Sequence, residues 1–445
     1  MNWEPMSLCG WGRTTYARVS ACTPPGRTGV GEAIAAADDH GLIVYAGGRS
    51  YGDVALNNGG RTLLSAALKR IYSFDPGSGE LVCGPGVTFN DLLHRFLPDG
   101  YMAPVNPGTG YVSVGGAVAN DVHGKNHDHA GSFGDHVLWM DLVLPDGKPV
   151  RVSPDEHPDL FAATIGGIGL TGVIVAVCFR MQKVPSNAVV LREERVPDLD
   201  AFLSRLEEVR SGRTYTVGWI DTLARGSRLG RGILESADPA HESLPSATSR
   251  RARVPVDFPG FVLNSWTVRA FNQLYYRRVP RGGRERRVQF ERFLYPLDAL
   301  LDWNRIYGKR GFFQFQCVLP EGTGAAGLPR LLEEISRSRA SSFLTTLKTL
   351  GGSGRGYLSF PMRGYTLALD FPNKPGIEVL LGRLVRITLE YGGRTYLAKD
   401  AWLSAGAFQQ MYPGLKKFVR VLEEIDPEVR MNSDLARRLQ IRLPH

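Results

Sequence analysis

Cysteine is scarce in this chain: five in 445 residues, Cys9, Cys22, Cys83, Cys178 and Cys317, with no C-x-x-C pair. An odd, scattered set argues against a disulfide framework or a structural zinc site and fits a reducing compartment. Cys83, Cys178 and Cys317 sit in apolar runs and read as inert core residues. Long hydrophobic runs are missing too. No stretch of about 18 apolar residues exists to span a bilayer. Met1-Asn2-Trp3-Glu4-Pro5 lacks the basic-then-apolar pattern of a signal peptide. The expected location is the cytoplasm or the periphery of a membrane. There is also no G-x-G-x-x-G after the first strand, no G-x-x-x-x-G-K-[ST] and no H-E-x-x-H. Rossmann, P-loop and zinc-hydrolase readings therefore fall away.

Acid is in deficit: 53 Lys and Arg against 44 Asp and Glu leave a net charge of +9. Nucleic acid, an anionic lipid surface or an anionic substrate could each answer to that. Zinc-finger, RNP-like and basic-zipper patterns are absent, so nucleic acid is the weakest of the three. Much of the excess lies in Arg277, Arg278, Arg281, Arg284, Arg286, Arg287 and Arg292, with Glu285 and Glu291 among them. That segment reads either as a solvated or disordered loop or as a surface leaning on anionic headgroups. At 43% hydrophobic and 22% charged, the rest is ordinary for a soluble globular protein long enough for two domains.

What the chain has in excess is glycine, 52 residues, with no low-complexity tract to explain it. Three loops concentrate it. Gly47-Gly48-Arg49-Ser50-Tyr51-Gly52-Asp53 follows the apolar run Leu42–Ala46. Pro107-Gly108-Thr109-Gly110 leads into Ser113-Val114-Gly115-Gly116-Ala117. Gly166-Gly167-Ile168-Gly169-Leu170-Thr171-Gly172 is the third. Consecutive N–H groups in such loops approach an anion without interference from Cβ, so together they read as a cradle for a nucleotide-bearing cofactor. His123, His127, His129 and His136 follow the second loop, flanked by Asp121, Asp128 and Asp135 at irregular spacing. That spacing disfavours a metal site. His123 reads as a hydrogen-bonding partner of a ligand, and the other three as surface or satisfied core residues. Lys399 ends an apolar strand, where it either snorkels or serves as a desolvated cation.

The texture of the chain is α+β rather than doubly wound, because strands and helices mix without βαβ alternation. Hairpins are expected at 70–83 and 137–152, with Thr88 as a helix N-cap, a short helix from Pro158 to Thr164 and a strand from Gly172 to Phe179. Beyond residue 187 glycine thins out. Strands are expected at Thr214–Asp221, Phe312–Leu319 and Thr366–Phe371, and amphipathic helices at Leu328–Ser338 and Ile377–Tyr391. Polar insertions near 235–255 and 277–290 read as mobile, and 405–445 as helical and basic.

In series, GGRSYGD, PGTGYVSVGGA, HGKNH, SFG, GGIGLTG, FQFQ, DFP and AKD resemble the flavoenzymes of the vanillyl-alcohol-oxidase type. Within that type they are most similar to the actinobacterial decaprenylphosphoryl-β-D-ribose 2′-oxidase family. The resemblance covers essentially the whole chain. It implies an FAD-binding domain of two α+β subdomains over 1–187, a substrate domain with an antiparallel sheet over 188–393, and a return to the first domain over 394–445. The FAD site would comprise Gly47, Gly48, Arg49, Ser50, Tyr51, Gly52, Pro107, Gly108, Thr109, Ser113, Gly115, Gly116, Ala117, Asn120, His123, Gly124, Asn126, Gly172 and Tyr396. Covalently flavinylated relatives carry His at the place of Arg49, so FAD is expected to be non-covalent here. Lys399, Tyr51 and His123 would serve catalysis, and Lys125, Gln314, Gln316, Lys348, Thr366 and Ala368 would bind substrate. No metal is expected.

The implied reaction oxidises the C2 hydroxyl of a prenyl-phosphoryl ribose to a ketone, the first half of an epimerisation to arabinose. A separate nicotinamide-dependent reductase would complete it. Two positions depart from the mycobacterial pattern: Thr366 stands for Asn, and Ala368 for the Cys that covalent nitroaromatic inhibitors attack. A soluble sugar or nucleoside of a natural-product pathway is therefore the alternative substrate, and a non-catalytic lipid- or anion-binding relative the rival reading.

Overall fold

Short apolar and β-branched runs punctuated by glycine turns assemble into three principal sheets in the computed structural model, which describes residues 1–245, 251–340 and 343–442. In the first, strand Leu42–Tyr45 runs parallel to Arg61–Leu64, and that strand parallel to Tyr16–Cys22. Glu4–Cys9 closes the sheet in antiparallel register. The first glycine loop leaves the end of Leu42–Tyr45, as expected for a buried strand entering a tight turn.

The second sheet is wholly antiparallel, in the order Ile71–Asp75, Glu80–Cys83, Val173–Arg180, Val137–Val143, Pro149–Val152. Both expected hairpins are present. The β-branched strand Val173–Arg180 lies at the centre, and all of it but Arg180 is buried. Thr88 caps the helix Phe89–Phe96 in a reciprocal capping box with Asp91. This mixture of layers is α+β.

The third sheet has eight antiparallel strands, with Phe312–Pro320 and Gly364–Pro372 paired along their whole length. Side chains alternate across it with period two. Phe315, Cys317, Leu319, Leu367, Leu369 and Phe371 face the helices Leu199–Arg210, Glu321–Ser338 and Ile377–Glu390. Gln314, Gln316, Thr366, Ala368 and Asp370 line a cavity on the opposite face. After the short strand Arg394–Thr395 the chain returns to the first lobe. Leu397, Phe408, Tyr412, Phe418 and Leu435 share a core with Leu81, Phe89, Phe133 and Val177. Three helices, Ala405–Met411, Leu415–Ile425 and Asp434–Arg438, make up most of this return.

The two polar insertions are corrected by the structure. Arg284–Gln289 is the edge strand of the large sheet, paired with Ala188–Val196. Glu193, its side chain wholly buried, receives Arg278 at 2.5 Å, Arg284 at 2.6 Å and Arg286 at 2.9 Å. Arg287 pairs with Glu242. Local composition resembled a loop because the carboxylate that neutralises these arginines lies some ninety residues earlier. The other insertion begins as the interior strand Gly232–Pro239, and Ala252–Arg253 pairs with Leu300–Leu301. Residues 246–250 of it lie outside the described residues. Among the described residues no helix is long and apolar enough to cross a membrane.

Candidate active site

A cavity of about 690 Å³ lies between the three glycine loops and the open face of the large sheet. The first loop contributes Gly47 to Gly52. Gly48 sits at φ +61°, a left-handed turn that favours glycine. Gly52 packs so tightly that a Cβ would stand 1.9 Å from the Asp400 carbonyl oxygen. The second loop contributes Pro107, Gly108, Thr109, Ser113, Gly115 and Gly116, followed by Asn120, His123, Gly124 and Lys125. Ser113 caps the short helix Val114–Ala119 by accepting from the Gly116 N–H at 3.2 Å. The third loop contributes Ile168, Gly169 and Gly172. Tyr396 and Lys399 enter from the C-terminal return, and Tyr396 donates its hydroxyl to the Asn120 carbonyl at 2.8 Å.

Two of the expected residues do not reach the cavity. Ala117 is buried in the hydrophobic core on the inner side of its helix. Asn126 turns back to donate to the Pro104 carbonyl at 2.8 Å and so braces the loop from behind. The remaining histidines are structural. His127 meets the Ser132 hydroxyl at 3.2 Å and accepts from the Gly351 N–H at 3.0 Å. His129 and His136 each lie 2.7 Å from a backbone carbonyl, of Arg210 and Ala130 respectively. Among the described residues no group of His, Cys, Asp or Glu is arranged to hold a metal.

One end of the cavity is built around Lys399. Its ammonium lies 3.8 Å from the centre of the Tyr51 ring. Burial, with the nearby charge of Lys348, lowers its pKa to about 7 against the opposing pull of Asp370. Asp370 itself accepts from the Gln314 amide at 2.5 Å and the Tyr307 hydroxyl at 3.3 Å. Burial raises its carboxyl to about 7. Tyr51 is held neutral, well above the usual phenol range, by burial and by Asp370.

Beside this group, the His123 Nε2 lies 2.9 Å from the Gln316 amide, which donates on to Thr366 at 3.3 Å. Burial and the charges of Lys348, His127 and Lys399 keep His123 neutral. Lys348 donates to the Gly124 carbonyl at 3.1 Å. Lys125 donates to the Phe293 carbonyl and lies 4.1 Å from the centre of that ring. Burial brings both lysines down to about 8. Ala368 sits between Gln316 and Thr346 on the cavity floor and presents no thiol.

Sequence reading did not assign Asp370, although it alternates with Thr366 and Ala368 on the same strand. The period-two pattern is the signal that would have found it. It also missed Asp298, which takes the Thr109 hydroxyl at 2.6 Å and the Gly110 N–H at 2.8 Å and so ties the second glycine loop to the short helix Pro296–Ala299. Nothing local marks that residue.

The cavity fits a flavin dinucleotide. Among its lining groups, Arg49 Nε, Asn120 Oδ1 and His123 Nδ1 are buried polar atoms with no protein partner. Such atoms are rare unless a ligand or water completes them. The backbone at Gly108 faces open space, where a Cβ would meet nothing within 4 Å. Arg49 lies 4.3 Å from the Trp11 ring and 5.0 Å from the Tyr111 ring, a cation held ready beside the first loop.

Residues 28–153 match the family described as FAD binding domain. The chain is 36% identical to decaprenylphosphoryl-beta-D-ribose oxidase of Mycolicibacterium smegmatis, over 98% of this chain and 97% of the relative. It is 34% identical to an uncharacterized Streptomyces coelicolor protein, over 79% of this chain and all of that one. A mitochondrial D-lactate dehydrogenase (cytochrome) of Arabidopsis thaliana is 28% identical over 34% of this chain and 27% of its own length. The glycine-loop cradle, the orphaned polar atoms and near full-length similarity agree: this chain belongs to the decaprenylphosphoryl-beta-D-ribose oxidase family of FAD-dependent oxidoreductases.

Proposed function

We propose that the protein oxidises the C2 hydroxyl of a prenyl-phosphoryl ribose to the 2-keto sugar. The observation that carries this reading is the juxtaposition of Lys399, Tyr51, Gln314 and Asp370 at one end of a cavity that is walled, further across the large sheet, by Trp219, Phe271 and Tyr275. One end suits a sugar hydroxyl and the other an apolar tail. Bound FAD supplies the acceptor for the hydride that leaves the carbon. Lys399, titrating near neutrality, takes the hydroxyl proton as its neutral amine. Asp370 faces the ammonium that results and holds its charge. Tyr51 fixes the amine against the face of its ring. Gln316 and His123 supply hydrogen bonds to neighbouring sugar hydroxyls, and Lys348 and Lys125 offer positive charge to the substrate phosphate.

The keto product would pass to a separate nicotinamide-dependent reductase. The test is anaerobic mixing of the FAD-loaded protein with a prenyl-phosphoryl ribose, following the visible flavin absorbance. Bleaching supports the reading. Bleaching by a free nucleoside or sugar alone would favour the soluble-substrate alternative suggested by Thr366 and Ala368. A colourless protein after purification with FAD present would refute a flavin enzyme.

A further inference from the structure

Twelve large apolar side chains are exposed among the described residues, and five of them fall within residues 256–274. They include the three most exposed: Trp266 at 78%, Phe261 at 77% and Leu274 at 73%. Helix Ser265–Arg277 organises them. Its inner face is anchored. Val268 is buried, and buried Asn272 donates to Asp221 at 2.7 Å. Tyr275 packs 4.7 Å from Trp219. Its outer face carries Trp266, Ala270, Phe271 and Leu274 at helical spacing, all exposed. A scattered exposed apolar residue needs no explanation, but an aligned stripe does.

Two observations identify what covers the stripe. The first is charge. From Phe258 to Arg284 the chain has no aspartate or glutamate and five arginines. Arg269 and Arg277 are exposed on the helix itself, and Arg310 lies against Gly260 beside Phe261. Of the arginines in the segment expected to serve a lipid surface, Arg278, Arg284 and Arg286 are instead engaged by Glu193, whereas Arg277 stays exposed on the helix. The second is continuity. Phe271 is both exposed and part of the cavity wall, together with Tyr275 and Phe343. The stripe is therefore the outer lip of the cavity's apolar end.

We infer that helix Ser265–Arg277, with Phe261, lies on the surface of an anionic lipid bilayer, and that the cavity opens directly onto the acyl region. An exposed apolar stripe flanked by arginines is the make-up of an interfacial helix. The inference rests on the lipid-linked substrate proposed above and gives it a route: the prenyl chain need not leave the bilayer for the ribose to reach Lys399.

The test uses the FAD-loaded protein and vesicles of phosphatidylcholine with or without phosphatidylglycerol, in a sedimentation assay without substrate. The wild-type protein should bind the anionic vesicles. Phe261→Ser, Trp266→Ser and Leu274→Ser together should weaken binding at least about tenfold, and Arg269→Glu with Arg277→Glu should abolish the preference for anionic lipid. The triple variant should oxidise a short-chain, water-soluble phosphoribose like wild type, yet lose turnover of a long-chain substrate held in vesicles. Wild-type protein that ignores anionic vesicles, or a triple variant that binds them unchanged, overturns the inference. So does a dimer that buries the patch and dissociates in the triple variant. If neither substrate is oxidised, the substrate reading fails, while vesicle binding still decides the surface.

Discussion

In the proposed reaction Lys399 titrates where it is used. Burial favours its neutral amine, and a pKa of about 7 leaves a large neutral fraction at physiological pH. Activity should therefore rise as pH increases through about 7, as the amine loses its proton, and level off above. Lys399→Met should lower kcat by at least about a hundredfold. Lys399→Arg should be no better, because it keeps the charge but cannot accept a proton. Asp370 makes a second prediction at this scale. Its negative charge supports the protonated lysine, so Asp370→Asn should move the rising limb of the pH profile to lower pH. Steady-state rates across pH, with FAD content held equal, check both. A limb that stays put in Asp370→Asn would show that the two groups do not communicate.

At the scale of elements, Glu193 organises the edge of the large sheet. Burial alone would raise its pKa, but hydrogen bonds from Arg284 and Arg286 and the charge of Arg278 outweigh it and hold the carboxyl at about 2. A folded-state pKa below the unfolded value of about 4.3 means that this stabilisation is complete above that pH. It is lost as pH falls towards 2. Glu193→Gln should cost on the order of 3 kcal/mol, since Arg284 and Arg286 then lose their counter-charge and Arg278 keeps only Glu235. Urea unfolding at neutral pH would measure it, and the deficit should shrink in acid. Gly52 gives the corresponding prediction for the first loop. Gly52→Ala drives a methyl into the Asp400 carbonyl oxygen, so the loop must shift and FAD retention should fall even if the protein folds. Flavin-to-protein ratio after gel filtration reports this directly.

For the whole molecule, helix Asp434–Arg438 ties the first glycine loop to the segment that carries Lys399. Arg438 forms a two-bond pair with Asp53, both at 2.8 Å, and reaches Asp400 at 2.8 Å. One guanidinium thus locks the aspartate that ends the first glycine loop to the segment carrying Lys399. Arg438→Gln leaves two buried carboxylates without their cation. It should destabilise the fold by about 3 kcal/mol and weaken FAD binding. Thermal melts should show a lower Tm, with a larger share recovered by added FAD than in wild type.

Local signals carried much of this protein. The capping box at Thr88, the two hairpins, the alternating strands at 312–320 and 364–372 and the glycine loops are all written in neighbouring residues, because turn chemistry and side-chain periodicity act over a few positions. The ordered motifs also pointed to FAD, and the structure brings the three glycine loops and Lys399 to one cavity. Distant partners were invisible. Glu193 turned an apparent loop of arginines into a strand, Asp298 reached the second loop from the short helix Pro296–Ala299, and Ala117 rotated into the core while Asp370 faced the cavity. Sequence by itself determined which elements form and which chemistry the loops can hold. Only the tertiary structure decided which charges neutralise one another and which apolar side chains stay exposed, since both depend on groups brought together from far along the chain.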